Sequence, residues 1–143
     1  MSSDARRPQI PTDMKAFNTK VIDEFRANHG ELSGQMAGRQ IMLLTTTGAK
    51  SGEQRTTVVG YRPYGDHLAV IASNNGADTP PSWFFNLRAN PVATVEVGPN
   101  RFQVKARVAD PEERPRLGAI IDYLERQQAL TSRQIPIVVL ERI

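Results

Sequence analysis

Apolar positions near the start of the chain recur every three or four residues. Met14, Phe17, Val21 and Phe25 share one face at that spacing, which predicts an amphipathic helix over residues 12–29. Thr12 or Asp13 can cap its start and Gly30 can end it. Residues 31–38 hold two glycines and read as a loop. After residue 40 the pattern changes. Residues 41–47 are a compact apolar run grading into threonines, the mark of a buried strand. Residues 48–54 turn the chain on two glycines. Thr56, Thr57, Val58, Val59 and Tyr61 then predict a strand over 55–62. A tight turn over 63–66 joins it to a strand over 67–73, which predicts a hairpin.

Residues 74–81 form a loop, and Ser82 can cap a short helix over 83–89 that Asn90-Pro91 terminates. Val95 and Val97 alternate with Thr94 and Glu96, and Gly98-Pro99-Asn100 reverses the chain. Phe102, Val104, Ala106 and Val108 alternate with Gln103, Lys105 and Arg107, so one face is expected to be buried and one solvated. A long helix is predicted from Asp110, with Pro111 at its first position and Glu113 three residues after the cap. Its core stripe is Leu117, Ile120, Ile121 and Leu124, and Pro115 should bend or delay the first turn. Residues 135–140 form a last strand, whose early proline suits a sheet edge. The order α-β-β-β-α-β-β-α-β, with sequential hairpins, predicts an α+β fold. About six mostly antiparallel strands would close a small barrel with helices outside it.

Composition narrows the function. The chain of 143 residues suits a single domain, 1–143, with 1–11 as a flexible arm. No apolar run reaches 18 residues, and residues 1–11 lack an apolar signal region, so the expectation is a cytoplasmic protein without stable membrane insertion. Cysteine is absent, which excludes disulfides, thiolate metal sites and a cysteine nucleophile. His29 and His67 are the only histidines, so no metal site is expected. The net charge of +3 suits a polyanionic ligand, while the scattered basic residues argue against nucleic acid.

Two segments can carry chemistry. Residues 45–56 place Lys50 on a glycine-rich turn and Arg55 five residues later, with hydroxyls around both. Such a turn can aim backbone N–H groups and two cations at one phosphate or carboxylate, although it is also an ordinary solvated loop. It is not a phosphate-binding loop of the nucleotide-hydrolase kind, because Ala49 precedes Lys50-Ser51 and a strand follows. Residues 72–83 leave a strand, cross a polar loop and enter a helix bearing Trp83, Phe84 and Phe85. At least two of these aromatics are expected in the core, and one can wall a flat heteroaromatic ligand. No acid–base constellation is visible. Tyr61, Tyr64 and Tyr123 are the only phenols, and nothing in the spacing selects one. A chain with so few reactive groups either borrows its chemistry from a cofactor or is not an enzyme.

The chain resembles the deazaflavin-dependent nitroreductase family, split-barrel reductases that use coenzyme F-420. The matching pieces are NTKVIDEFRANHG from Asn18, LLTTTGAKSGEQRT from Leu43, IASNNGA from Ile71, WFFNLRANPVATVEV from Trp83 and TSRQIPIVVL from Thr131. The resemblance implies a split β-barrel and a hydride transfer from the reduced deazaflavin to an activated C=C bond, a quinone or a nitro compound. It further implies that Lys50, Arg55 and Ser51 hold the anionic phosphate and tail. Thr57, Val58 and Val59 would lie against the ring, with Ala72 and Ser73 near its reactive edge. Asn75, Gly76 and Ala77 would add backbone contacts, and Trp83 and Asn86 would shape the pocket. Ser73 is the implied catalytic side chain. FMN is the alternative cofactor, a non-catalytic deazaflavin or hydrophobic-ligand binder is the alternative role, and a homodimer is one open state of assembly.

Overall fold

A computed structural model describes residues 14–143. The expected arm 1–11 and the predicted caps Thr12 and Asp13 lie outside the described residues. The helices are α1 (Met14–Ala27), α2 (Ser82–Ala89), α3 (Arg114–Ile120) and α4 (Leu124–Gln128). The strands are β1 (Ile41–Thr47), β2 (Gln54–Gly60), β3 (Arg62–Tyr64), β4 (His67–Ile71), β5 (Val92–Val97), β6 (Asn100–Val108) and β7 (Ile137–Arg142). They form one seven-stranded sheet in the order β2-β1-β5-β6-β7-β4-β3, and every pair is antiparallel.

That order forces the shape. β2 and β3 are the two edges of the sheet, yet Tyr61 alone separates them in sequence. A sheet whose opposite edges are joined by one residue has to curl until they meet. The Tyr61 N–H donates to the Gln40 carbonyl beside the start of β1 at 3.1 Å, which seals the corner. The product is a split half-barrel.

This closure corrects the predicted strand over 55–62. It divides at Tyr61, giving seven strands where about six were expected. Its first half pairs with β1 from Gln54 to Gly60, and only Arg62–Tyr64 pairs with β4. Local alternation cannot reveal such a break, because both halves satisfy the same period. The last strand also moves. β7 lies between β6 and β4, not at an edge. Pro136 precedes the strand and so removes no ladder donor, while its carbonyl accepts from the Ala72 N–H at 3.0 Å. The predicted long helix breaks in two. Pro115 occupies its first turn, residues 111–113 form a turn bonded to the Asp110 carbonyl, and Ile121 leaves helical geometry. Strict alternation in β6 also fails at its end: Val104 is fully buried but Val108 is 52% exposed.

Two apolar clusters flank the wall. Inside the curl lie Met42, Leu44, Leu68, Val70, Val138 and Leu140, closed at one end by Trp83, Phe84 and Leu87 of α2. Outside it, Ala69, Ile71, Ile137 and Val139 meet Leu117, Ile121 and Leu124 from α3 and α4. The two-residue period therefore sends alternate residues of β4 and β7 into different cores. Helix α1 packs against β2 with Val21 and Phe25 buried. Its last turn is pinned by Arg26, which donates to both carboxylate oxygens of Glu96 at 3.1 and 2.9 Å. Gly30 ends it as expected: φ is +93°, and a Cβ there would stand 2.5 Å from the Gly98 Cα.

Candidate functional site

A cleft of about 720 Å³ opens between β2, the segment after β4 and the start of α2. These elements are distant in sheet order, β2 first and β4 sixth, so only the curl brings them together. Strand β2 supplies Arg55, Thr57, Val58 and Val59; the following segment supplies Ser73 and Asn75; α2 supplies Trp83 and Asn86. Eight of the predicted site residues thus line one space. Asn18 of α1 lines it too. Thr57, Val58 and Val59 are half-buried, an apolar and hydroxyl-bearing wall. Trp83 is only 8% exposed because it also packs on the inner core. Phe84 is buried beside it, and Phe85 points outward at 44% exposure.

Arg55 is the only charged side chain among the described lining residues. Its guanidinium lies 3.4 Å from the Glu53 carboxylate, with both side chains mostly exposed. Such a pair is weak in water and leaves the cation available to a ligand. The Lys50 turn is built by internal bonds. The Gly48 N–H donates to the Glu53 carbonyl, the Gly52 N–H to the Gly48 carbonyl, and the Glu53 N–H to Ser51 Oγ. Lys50 and Ser51 are exposed and do not line the cleft. Asn86 ties their turn to it: Oδ1 accepts from the Ala49 N–H at 3.0 Å, and Nδ2 donates to Thr46 Oγ1 at 3.1 Å.

Across the cleft, the polar segment turns through Asn74 and Asn75 with φ of +48° and +53°, the left-handed region that asparagine tolerates better than most residues. Ala72, Gly76 and Ala77 stand behind this turn and do not line the cleft. Their amides donate inward, to Pro136, Ser73 and Asn74 carbonyls respectively. Gly76 is buried against Leu130, whose Cβ would lie 2.5 Å from an added Cβ. Asn75 Nδ2 is buried without a hydrogen-bond partner.

None of the three tyrosines lines the cleft. Tyr64 donates to Glu113 at 3.0 Å. Tyr123 is held above its ordinary pKa by burial, and its buried hydroxyl has no partner. Several contributors escaped the sequence reading, among them Asn18, Thr56 and Asn74 of the lining and Arg133 behind it. The Arg133 side chain binds four carbonyls of the 72–79 segment. Its one local signal is a cation standing just before the apolar run Ile137–Leu140, with no acidic residue anywhere in 126–140.

A curled antiparallel half-barrel with a ligand-sized cleft between its edge strand and a short helix is the split-barrel class. A solved F420-H2-dependent reductase of that class, FDR-A, matches with a TM-score of 0.64 and 34% identity, over 72% of this chain and 95% of that one. A solved domain-swapped dimer matches with a TM-score of 0.66 and 32% identity, over 86% and 93%. An F420H(2)-dependent quinone reductase of Mycobacterium tuberculosis is 37% identical over 126 residues, 82% of this chain and 85% of that protein. The profile of the family F420H(2)-dependent quinone reductase matches residues 18–142. The chain belongs to that family and is an oxidoreductase.

Proposed function

We propose that the chain uses this cleft to pass a hydride from reduced coenzyme F-420 to an electron-poor small organic acceptor: an activated C=C bond, a quinone or a nitro compound. The observation that carries the reading is the cleft's lining. It pairs an apolar wall and a tryptophan with a single cation and, among the described lining residues, no acid. The residues fit the group. The volume lies within the usual range for small-molecule sites, about 300–1,000 Å³. Arg55 and the Lys50-Ser51 turn answer an anionic tail, and the buried, unpartnered Asn75 Nδ2 marks a polar wall whose hydrogen-bonding capacity the protein does not exhaust.

When bound, the reduced deazaflavin supplies the hydride. The chain supplies binding, orientation and exclusion of water. Arg55, Lys50 and Ser51 hold the phosphate and tail. Thr57, Val58 and Val59 support one side of the ring site, and Trp83 closes its end. Asn86 keeps the cationic turn at the cleft's rim. Ser73 is the catalytic side chain of the proposal, its hydroxyl fixing the acceptor or relaying a proton from water. Ala72, Gly76 and Ala77 shape the segment that carries Ser73 and Asn75, and their own amides serve the turn. Action as a homodimer in the cytoplasm belongs to the same reading. It is supported by the domain-swapped relative and by the lack of any membrane-spanning helix among the described residues.

The test is a fluorescence titration with oxidised coenzyme F-420, beside Arg55→Ala and Lys50→Ala, with FMN as control. Saturable binding is expected, and each variant should bind at least tenfold more weakly, because a charged hydrogen bond contributes roughly 1.5–3 kcal/mol. Reduced coenzyme should then be oxidised by a simple quinone. Absence of binding at micromolar concentration, or tighter binding of FMN, overturns the reading. Tight coenzyme binding without turnover on any acceptor points instead to a binding protein.

A further inference from the structure

We infer that Arg133 is a positioning residue that holds the Ser73–Asn75 wall of the cleft in its working shape. The wall needs an external support. It contains only a short 3-10 turn (Asn74–Gly76), whose three residues all have positive φ. Within it, the Gly76 and Ala77 amides donate back to Ser73 and Asn74, and Asn74 Nδ2 donates to the Thr79 carbonyl at 3.1 Å.

Arg133 gathers the back of this segment onto one guanidinium. Its Nε donates to the Ala77 carbonyl at 2.9 Å. Its Nη2 reaches the Ala72, Ser73 and Thr79 carbonyls at 3.1, 2.9 and 3.4 Å. Both ends of the loop and the residue behind its catalytic candidate thus converge on one planar fork. Nε and Nη2 bring three N–H groups to four carbonyls in the rigid plane of the guanidinium, while Nη1 is buried without a partner; a lysine also has three donors, but on a flexible stem that fixes no such fork. No salt bridge recorded among the described residues involves Arg133, so these carbonyls are its partners in place of a carboxylate.

The fork is itself held from behind. Gln128 Nε2 donates to the Arg133 carbonyl at 2.6 Å, and its Oε1 accepts from the Ile135 N–H at 2.9 Å. The Arg133 N–H donates to Thr131 Oγ1 at 3.3 Å. The end of α4 therefore sets the 131–135 segment, that segment sets Arg133, and Arg133 sets the wall. A preformed wall spares the ligand the entropy of ordering it, so the clamp acts on affinity and not on the chemical step. That the wall meets the coenzyme rests on the proposed function; that Arg133 holds the wall does not.

The experiment compares wild type, Arg133→Ala, Arg133→Lys and a control, Arg107→Ala, that breaks ion pairs away from the cleft. Two measurements are made on each: amide hydrogen exchange over residues 72–79, and coenzyme affinity with kcat at saturating coenzyme. Arg133→Ala should speed exchange in 72–79 selectively and raise the coenzyme Kd roughly tenfold, a modest ordering penalty. Its kcat should stay within about twofold, and saturating coenzyme should restore protection. Arg133→Lys should fall between it and wild type, and it stands in if Arg133→Ala does not fold. Arg107→Ala should change neither readout. Unchanged exchange in 72–79, or an equal loss of affinity in Arg107→Ala, overturns the inference. If the wild type binds no coenzyme, the proposed function fails, and the exchange measurement still decides the clamp.

Discussion

Strands β7 and β2 are both six or seven residues long, belong to the same sheet and differ in almost everything else. Ile137, Val138, Val139 and Leu140 of β7 are all buried, because one core lies inside the curl and a second lies under α3 and α4. In β2 no residue is fully buried, and Thr56 to Val59 are half-buried. One wall of the barrel is sealed on both faces. The other is covered on one side and left with room on the other. The sealed half supplies the stability, and the open half supplies the cleft. The hydrophobic effect scales with area removed from water, so a strand that borders an open cleft gives up part of that contribution.

Truncation in the two strands should separate these roles most sharply. Ile137→Ala empties a fully buried position in the outer core and should cost roughly 2–5 kcal/mol in denaturant unfolding. Coenzyme affinity of the folded fraction should not change. Val58→Ala in β2 should cost about 1 kcal/mol or less and should instead weaken coenzyme binding. Equal stability losses would erase the distinction.

Asn86 joins the two regimes, since it is 9% exposed yet lines the cleft. Asn86→Ala leaves Thr46 and the Ala49 amide without their partner and should cost about 1–3 kcal/mol. The released Lys50 turn should also weaken tail binding, which titration with a tail-shortened deazaflavin would show by losing the effect.

The smallest effect concerns acid. Glu113 is held at about 2, well below the ordinary 4.5, first by Arg107 and then by the Asp110 N–H and the Tyr64 hydroxyl. A lowered folded value means that the unfolded chain binds more protons between the two values. The stabilisation is therefore complete above the ordinary value and is lost as pH falls from about 4.5 towards 2. Glu113→Gln should flatten that acid limb of the melting temperature. Coenzyme binding at neutral pH should be unaffected, because the network lies on the sealed side with Arg107 and Glu141.

Elements with one dominant local cause were legible. The α1 stripe, the Gly30 stop and the short α2 helix all follow from signals that act within a few residues, although Ser82, expected to cap α2, is its first residue and Pro81 holds the cap position with no side-chain bond. The cofactor class was legible for another reason: ordered segments across most of the chain resemble one family. Breaks decided by distant partners were not legible. Nothing near Tyr61 states that the strand must leave one sheet edge and join the other. Pro136 suggested an edge, but the four apolar residues after it belong at the centre. The helix after Asp110 carried a proper start signal and a proper stripe, yet it breaks at Ile121 so that both pieces can follow the wall.

The candidate site divides the same way. Residues such as Arg55, Val58 and Trp83 carry their chemistry in their side chains, so the sequence could nominate them. Arg133 has no such mark, because its partners are backbone carbonyls more than fifty residues earlier. By itself, then, the sequence determined most of the elements, their amphipathic faces and the glycine-rich turn that carries Lys50, since each depends on neighbours within a turn or a hairpin. The tertiary structure alone decided that the edges meet at Tyr61, that β7 is central and that one arginine gathers the cleft's far wall. Those outcomes depend on closing the sheet, a global constraint that no short window of residues encodes.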